Sequence, residues 1–341
     1  MSGARIAVNG LGRIGKLLLR ALQEEGRLGE VVLLNDAAGD PASHAHLLEF
    51  DTVHGRWRTP IAPDADGVTV AGHRMRLTGA ARLEELPLAA LGVDLAVDCT
   101  GVFKTPQKAQ PYFDAGVRKV VVSAPIKEAP ALNVVYGVNH DRYEPARHRL
   151  VTAASCTTNC LAPVVQVLHE EIGIRRGSFT TIHNPTNTQT IVDRPHKDVR
   201  RARSALNSMI PTSTGSAAAI ALIFPELEGK LDGHAVRVPL LNASLTDCAF
   251  EMQRPTTKAE VNGLFRRWAE GRLTGVLGCE ERPLVSADYV GDPRSAIVDA
   301  ASTRVVDGTH VKVCAWYDNE WGYAKRLADV ALMVADGLGR R

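Results

Sequence analysis

Cys156 and Cys160 stand four positions apart in the stretch ASCTTNC, residues 154–160. Two cysteines so spaced suit three chemistries: a metal clip, part of a disulfide framework, or a nucleophile with supporting hydroxyls. A structural zinc site takes four ligands in close pairs, and no second pair completes this one, so no metal is expected. The other cysteines, Cys99, Cys248, Cys279 and Cys314, are scattered and sparse, unlike a disulfide framework. The nucleophile remains. LVTAASC (150–156) reads as a strand ending at Cys156. Leu161, Val164, Val165 and Leu168 follow at helical spacing, with a helix start near Thr157. A cysteine at a helix N-terminus has its thiolate stabilised by the dipole and by free N–H groups. Cys160, one turn on, is carried into the helix as a structural residue.

A thiolate near neutral pH needs a base or a cation beside it. His169, His183, His196 and His234 are the candidates. His183 follows the strand-like SFTTI and opens a polar loop, a placement that suits catalysis. Pattern alone leaves a surface or packing role equally open.

The elements that position these groups come next. With 341 residues the chain exceeds what one core usually serves, so two domains are expected. The run Ile6-Ala7-Val8 leads into Gly10-Leu11-Gly12-Arg13-Ile14-Gly15 and then an apolar helical pattern. That strand–GxGxxG–helix context is the dinucleotide fingerprint. Its glycines allow a tight turn, close approach of backbone to pyrophosphate, and helix–strand packing. Asp36 ends the strand EVVLLND about twenty residues on, where a carboxylate accepts ribose hydroxyls and repels a 2′-phosphate. NAD is favoured. Turn chemistry is the alternative reading of 35–39. The runs GVTVAG, 94–101, 119–125, 132–143 and 150–156 read as further strands. Thr100-Gly101 and Ser123-Ala124 end two of them, where a doubly wound sheet lines its ligand crevice. Ser213 or Thr214 before an alanine-rich run reads as a helix cap, which is also an anion site.

Hydrophobic content of 45% and charged content of 23% suit a soluble globular protein. A net charge of +2 gives no nucleic-acid coat. No run approaches the ~20 apolar residues of a membrane span, and no secretory signal opens the chain. A cytoplasmic enzyme is expected, without nucleic-acid or membrane partners. The basic stretch 193–206 is interrupted by Asp193 and Asp198 and lacks interleaved aromatics.

NGLGRIG, ASCTTNCLAP, IHNPTNTQTIVDRPHKDVRRAR, IPTSTGSAAAI, GHAVRVP and WYDNEWGYAKR occur in that order. Together they resemble glyceraldehyde-3-phosphate dehydrogenase over about residues 4–335. The resemblance implies NAD-dependent oxidation of an aldehyde to an acyl phosphate. Cys156 would attack the aldehyde, and His183 would take up the proton and help keep the thiol ionised. The cofactor would meet Gly10, Gly12, Arg13, Ile14, Asp36, Thr100 and Ser123. Asn319 would hold the nicotinamide carboxamide, with Tyr323 nearby. Thr186, Thr188 and Arg237 would hold the substrate phosphate. Ser155, Thr157, Thr214 and Gly215 would hold the attacking anion. A homotetramer is implied, with loop 193–206 at a subunit interface and most of its charges in interface salt bridges. Trp316 and Trp321 are read as core.

The implied fold is α/β. Residues 1–150 form a Rossmann-type, doubly wound parallel sheet. Residues 151–318 form an α+β catalytic domain with a mainly antiparallel sheet. The helix within 319–341 packs back on the first domain. Some positions depart from the family's usual wording. Asn184-Pro185 follows the histidine where alanine and a residue other than proline are usual, so a local change in how His183 is backed is expected. Arg194 leaves NADP use open, and Arg82 is a candidate adenine contact. AHLLEFDTVHGRW, NVVYGVNH, NTQTIVDRPHKD and VPLLNASLTDC resemble the branch found beside arsenical efflux permeases. That branch is thought to use arsenate in place of phosphate, giving 1-arseno-3-phosphoglycerate instead of 1,3-bisphosphoglycerate. The alternatives are the ordinary glycolytic or gluconeogenic enzyme, erythrose-4-phosphate dehydrogenase, and a non-catalytic NAD-binding regulator.

Overall fold

Ile6-Ala7-Val8 and Val120-Val121-Val122 are continuous apolar runs buried on both faces, the signature of a covered parallel sheet. They belong to a nine-stranded sheet in the computed structural model, which describes residues 3–187 and 189–339. The chain divides into two units: Met1–Ala154 with Ala324–Arg341, and Ser155–Tyr323.

The first unit holds strands β1 (Ile6–Asn9), β2 (Val31–Asn35), β3 (Ile61–Pro63), β4 (Gly67–Val70), β5 (His73–Thr78), β6 (Leu95–Asp98), β7 (Lys119–Val122), β8 (Leu132–Asn133) and β9 (Leu150–Thr152). Their order is β3-β4-β5-β2-β1-β6-β7-β9-β8. All neighbours are parallel except in the β3-β4-β5 meander. Strand order reverses at β1, between β2 and β6, so the loops leaving β1 and β6 open a crevice there. Helices α1 (Arg13–Glu24), α2 (Pro41–Glu49) and α3 (Pro106–Asp114) are the crossovers. Asp40 caps α2 and Thr105 caps α3, each with proline at the start of the helix.

The expected strand over 132–143 is largely absent. Only Leu132–Asn133 pairs with the sheet, and a 3-10 turn covers His140–Arg142. Two asparagines take the backbone groups a strand would use. Asn139 accepts from the Val135 N–H at 2.8 Å and donates to the Asn133 carbonyl at 3.0 Å. Asn133 does the same across Ile126. Such local side-chain bonds compete with sheet pairing.

The second unit holds β10 (Ile174–His183), β11 (Ile210–Ser213), β12 (Leu231–Arg237), β13 (Ser244–Met252), β14 (Leu277–Glu280), β15 (Ala296–Asp299), β16 (Arg304–Val306) and β17 (His310–Tyr317). The order is β11-β12-β10-β13-β17-β15-β14, with β16 on β17. Only β10–β12 and β14–β15 are parallel. Strict burial alternation along β13 marks a sheet with two different faces. Helix α4 (Cys156–Glu171) is buried on all sides from Thr157 to Leu168, so it is a core helix rather than a surface one. Helices α5 (Ser216–Ile223) and α6 (Lys258–Glu270) pack against it.

Helix α7 (Trp321–Asp336) starts in the second unit and continues in the first. Asp318 accepts the N–H groups of Glu320 and Trp321, each at 2.8 Å, and so sets its start. Lys325 reaches Glu24 of α1 at 3.5 Å and Glu25 at 2.5 Å, and Asp336 reaches Arg27 at 2.8 Å, tying its later turns to α1 and the loop after it. Among the described residues, no helix is long and apolar enough to cross a membrane.

Candidate active site

In the first unit the glycine loop is built as the fingerprint requires. Gly10 has φ +94°, and a Cβ there would lie 2.7 Å from the Thr100 nitrogen. A Cβ on Gly15 would lie 2.0 Å from the Gly10 carbonyl oxygen, so the third glycine is needed for packing. A Cβ on Gly12 would meet nothing within 4 Å. Gly12 is the N-cap of α1 and offers no side-chain cap, which leaves Arg13 and Ile14 in a first turn suited to an anion. The Asp36 carboxylate accepts from the Leu11 N–H at 2.7 Å and the Ala38 N–H at 3.0 Å. It is thereby fixed beside the glycine loop with lone pairs left for ribose hydroxyls.

Thr100 and Ser123 are both tied to Asp98. The Asp98 carboxylate accepts the Thr100 N–H at 3.1 Å and its hydroxyl at 2.9 Å, while its carbonyl accepts the Ser123 N–H at 2.9 Å. Asp98 is fully buried and takes a further bond from the Tyr112 hydroxyl at 2.7 Å. Burial pushes its carboxyl up, against the pull of those bonds. Sequence reading missed Asp98. Its signal was a carboxylate closing an otherwise apolar strand. These residues fit a dinucleotide: open backbone at a helix start, a fixed carboxylate, and hydroxyls at strand ends. Arg82 is exposed, with Glu84 at 3.6 Å and Glu85 at 3.9 Å.

In the second unit Ser155 is the N-cap of α4, accepting from the Thr158 N–H at 3.2 Å. Cys156 is therefore the first helical residue. Ala154, just before, has φ +52°, a conformation that disfavours a side chain and turns the chain sharply into the helix. His183 ends β10, and parallel register sets Arg237 beside it at the end of β12. The Cys156 Sγ lies 3.4 Å from His183 Nε2. On the other side of the ring, Nδ1 lies 2.6 Å from an Arg237 guanidinium nitrogen and 2.8 Å from the Asn184 carbonyl oxygen. That carbonyl also accepts from Arg237 at 2.9 Å.

The electrostatics follow from this geometry. Burial, then the Arg237 charge, holds His183 down to about 3, so the resting imidazole is neutral. Burial pushes the Cys156 thiol up, and Arg237 with Thr157 pulls it back. The cation beside the thiol is Arg237 and not His183. Tyr317, unremarked in the sequence, is buried beneath the site. Its hydroxyl shares hydrogen bonds with Thr157 at 3.0 Å and Thr181 at 2.7 Å, and its ring meets His183 edge-on.

The other expected residues are placed as follows. Thr186 bonds Gln189 through both its N–H (2.9 Å) and its hydroxyl (3.1 Å). Thr188 lies outside the described residues. The cap of α5 is Gly215, not Ser213 or Thr214. Thr214 stands one residue earlier, where its hydroxyl accepts the Ser216 N–H at 3.3 Å. Among the described residues, the hydrogen bonds of Thr214 run to Ser216 and not to Cys156, His183 or Arg237. Asn319 is buried and its Oδ1 accepts from Ser244 at 2.9 Å. Tyr323 is 5% exposed on α7. Arg194 is exposed. Arg203 and Arg201, expected at an interface, have partners within the chain: Asp193 at 2.6 Å and Asp198 at 3.6 Å.

Comparison with known proteins agrees with this division of labour. Residues 4–106 match the family model "Glyceraldehyde 3-phosphate dehydrogenase, NAD binding domain", and residues 155–319 match the C-terminal domain of the same enzyme. Glyceraldehyde-3-phosphate dehydrogenase 3 of Nostoc sp. is 56% identical over 332 residues, covering 97% of this chain and 98% of its own. The Pseudomonas aeruginosa glyceraldehyde-3-phosphate dehydrogenase is 50% identical, and the plasmid-borne one of Cupriavidus necator 48%, each covering 97% of this chain and 98% of its own. A dinucleotide cradle in one unit and a cysteine–histidine–arginine cluster in the other, each matched at its own residues, place this chain in the glyceraldehyde-3-phosphate dehydrogenase family, with NAD as its cofactor.

Proposed function

We propose that the chain oxidises glyceraldehyde 3-phosphate through a thioester on Cys156, which an inorganic oxyanion then releases as an acyl anhydride. The observation that carries this reading is the run from Cys156 through His183 to Arg237, built at the start of α4. As sulfur attacks the aldehyde carbon, His183 Nε2 takes the thiol proton. The Cys156 N–H, in the first turn of α4 where the helix itself supplies no acceptor, donates to the new oxyanion. NAD, when bound, supplies the acceptor for the hydride this carbon loses. The product is a thioester. Phosphate attacks its carbonyl, the C–S bond breaks, and His183 returns the proton to sulfur. Arg237 also fits a phosphate. An anion on it would offset the charge that keeps His183 from accepting a proton, so substrate binding and base strength are linked.

Ser155, Thr157, Thr214 and Gly215 are proposed for the attacking anion, with Thr186, Thr188 and Arg237 for the substrate phosphate. Asn319 is proposed for the nicotinamide, since the Ser244 bond to its Oδ1 leaves its amide nitrogen to donate. Hydroxyls and N–H groups serve phosphate and arsenate alike. The arsenate-detoxification role therefore rests on the sequence wording, and the ordinary phosphate-using enzyme suits the same site equally. The ratio of kcat/KM for arsenate to that for phosphate separates them. A clear arsenate preference supports the detoxification role, and parity or a phosphate preference removes its support. Erythrose 4-phosphate against glyceraldehyde 3-phosphate is the matching comparison for the aldehyde.

We also propose a homotetramer. Ile191, Val192, Val199, Leu206, Met209 and Leu241 are 66% to 78% exposed in the single chain, and such exposure marks a surface that a partner covers.

A further inference from the structure

The inference here rests on the roles just proposed for Cys156 and His183. His183 is a base toward Cys156 only in the tautomer with its hydrogen on Nδ1, because Nε2 then offers a lone pair to the sulfur. Two groups compete for Nδ1. The Asn184 carbonyl oxygen, 2.8 Å away, favours N–H there. The Arg237 guanidinium, 2.6 Å away, can only donate and favours a bare lone pair. Where the carbonyl is held therefore decides how His183 behaves.

Two features hold it. Pro185 follows and restricts Asn184 to extended backbone. The Asn184 side chain is 2% exposed, and its Nδ2 donates to the Leu241 carbonyl at 2.8 Å. Its Oδ1 is buried and takes no well-formed hydrogen bond among the described residues, so the bond from Nδ2 to Leu241 is its anchor on that loop; the side chain also faces His183 and favours the ring's charged form. Leu241 lies on the loop leaving β12 beyond Arg237. On the same loop the Val238 N–H donates to the His183 carbonyl at 2.9 Å. The loops behind His183 and Arg237 are thus stitched together twice, once by backbone and once by Asn184.

We propose that Asn184 is a positioning residue: its side-chain amide, anchored on Leu241, fixes its own carbonyl between His183 and Arg237 and selects the tautomer in which His183 acts as a base. Asn184 does not touch the sulfur, so its effect passes through His183.

The test uses the full-length protein and two variants, Asn184→Ala and Asn184→Leu, the second branched at Cγ like asparagine but without its hydrogen-bonding groups. Each is assayed below its own melting midpoint. Three quantities are read: the pH dependence of Cys156 alkylation by iodoacetamide, kcat and KM for glyceraldehyde 3-phosphate, and NAD affinity. The expected result is a kcat about tenfold lower, with KM within about twofold. NAD affinity is unchanged, and the alkylation midpoint moves in both variants. A merely structural role would lower the melting midpoint and leave the pH profile in place. Wild-type pH profiles and kcat in both variants overturn the proposal. If the wild type forms no NADH while the alkylation midpoint still moves, the substrate assignment fails and the positioning role stands.

Discussion

Arg237 is the residue on which the chemistry of the site turns. Its charge favours the Cys156 thiolate and opposes a protonated His183. Arg237→Gln removes the pull that lowers the thiol, so the thiolate forms only at higher pH. Alkylation at neutral pH should slow about tenfold, equivalent to about one pKa unit, and its midpoint should rise. An unchanged midpoint would mean that Arg237 does not face the thiol. At this scale Cys156 was legible because a nucleophile, a helix start and neighbouring hydroxyls coincide in one short stretch. His183 could not be chosen among four histidines from pattern alone. The register of β10 against β12, which sets it beside Arg237, is a long-range pairing that no local stretch encodes. Tyr317 went unread for the same reason: its partners Thr157 and Thr181 are distant in sequence.

At the scale of elements, α4 presents Cys156 and depends on its cap. Ser155→Ala should destabilise the second unit by about 1 kcal/mol, read by denaturant midpoint at unchanged m-value. No change would show that the Thr158 N–H finds another partner. In the first unit Arg13, at the start of α1, meets Asp51 beyond α2 at 2.5 Å. Burial alone would raise Asp51, but the bonds from Arg13, His54 and Val53 outweigh it and hold it down to about 2. A lowered carboxyl stabilises the fold above its unfolded value and stops doing so as pH falls through the folded value. Arg13 is 35% exposed and solvent screens the pair. The contribution is therefore about 1–2 kcal/mol above about pH 4, lost as pH approaches about 2. Acid titration of stability should show this slope in the wild type and not in Asp51→Asn. Elements with long periodic or continuous apolar runs were legible, including α1, α4 and the strands β1, β2, β6 and β7. The 132–143 segment was not, because the apolar run in Asn133-Val134-Val135 reads as a strand, while two asparagines satisfy its backbone locally.

At the scale of the whole molecule, the sequence carries two units of different construction, and the apolar patterns differ accordingly. Buried continuous runs make a parallel sheet in one, and alternating runs make a mixed one in the other. Where the chain leaves one unit and enters the other was less legible: only Ala153-Ala154-Ser155 separate β9 from α4, so no loop composition marks the boundary, expected after residue 150 and lying after Ala154. NAD at about a hundred times its Kd should stabilise the unit that binds it by about 2.7 kcal/mol. Calorimetry should then show one transition moving upward, and an immobile thermogram would count against the cradle. Sedimentation at rising concentration tests the exposed apolar residues. A monomer at all concentrations would show that they face solvent in the working enzyme.

The central claim is that the Cys156 sulfur carries the acyl group. Its most direct test is the initial rate of NADH formation from glyceraldehyde 3-phosphate, NAD and phosphate, in wild type and in Cys156→Ser with NAD binding checked separately. The account predicts phosphate-dependent NADH formation in the wild type and a loss of about a thousandfold or more in the variant, which still binds NAD. Equal rates in the two proteins, or no NADH from the wild type, would contradict it.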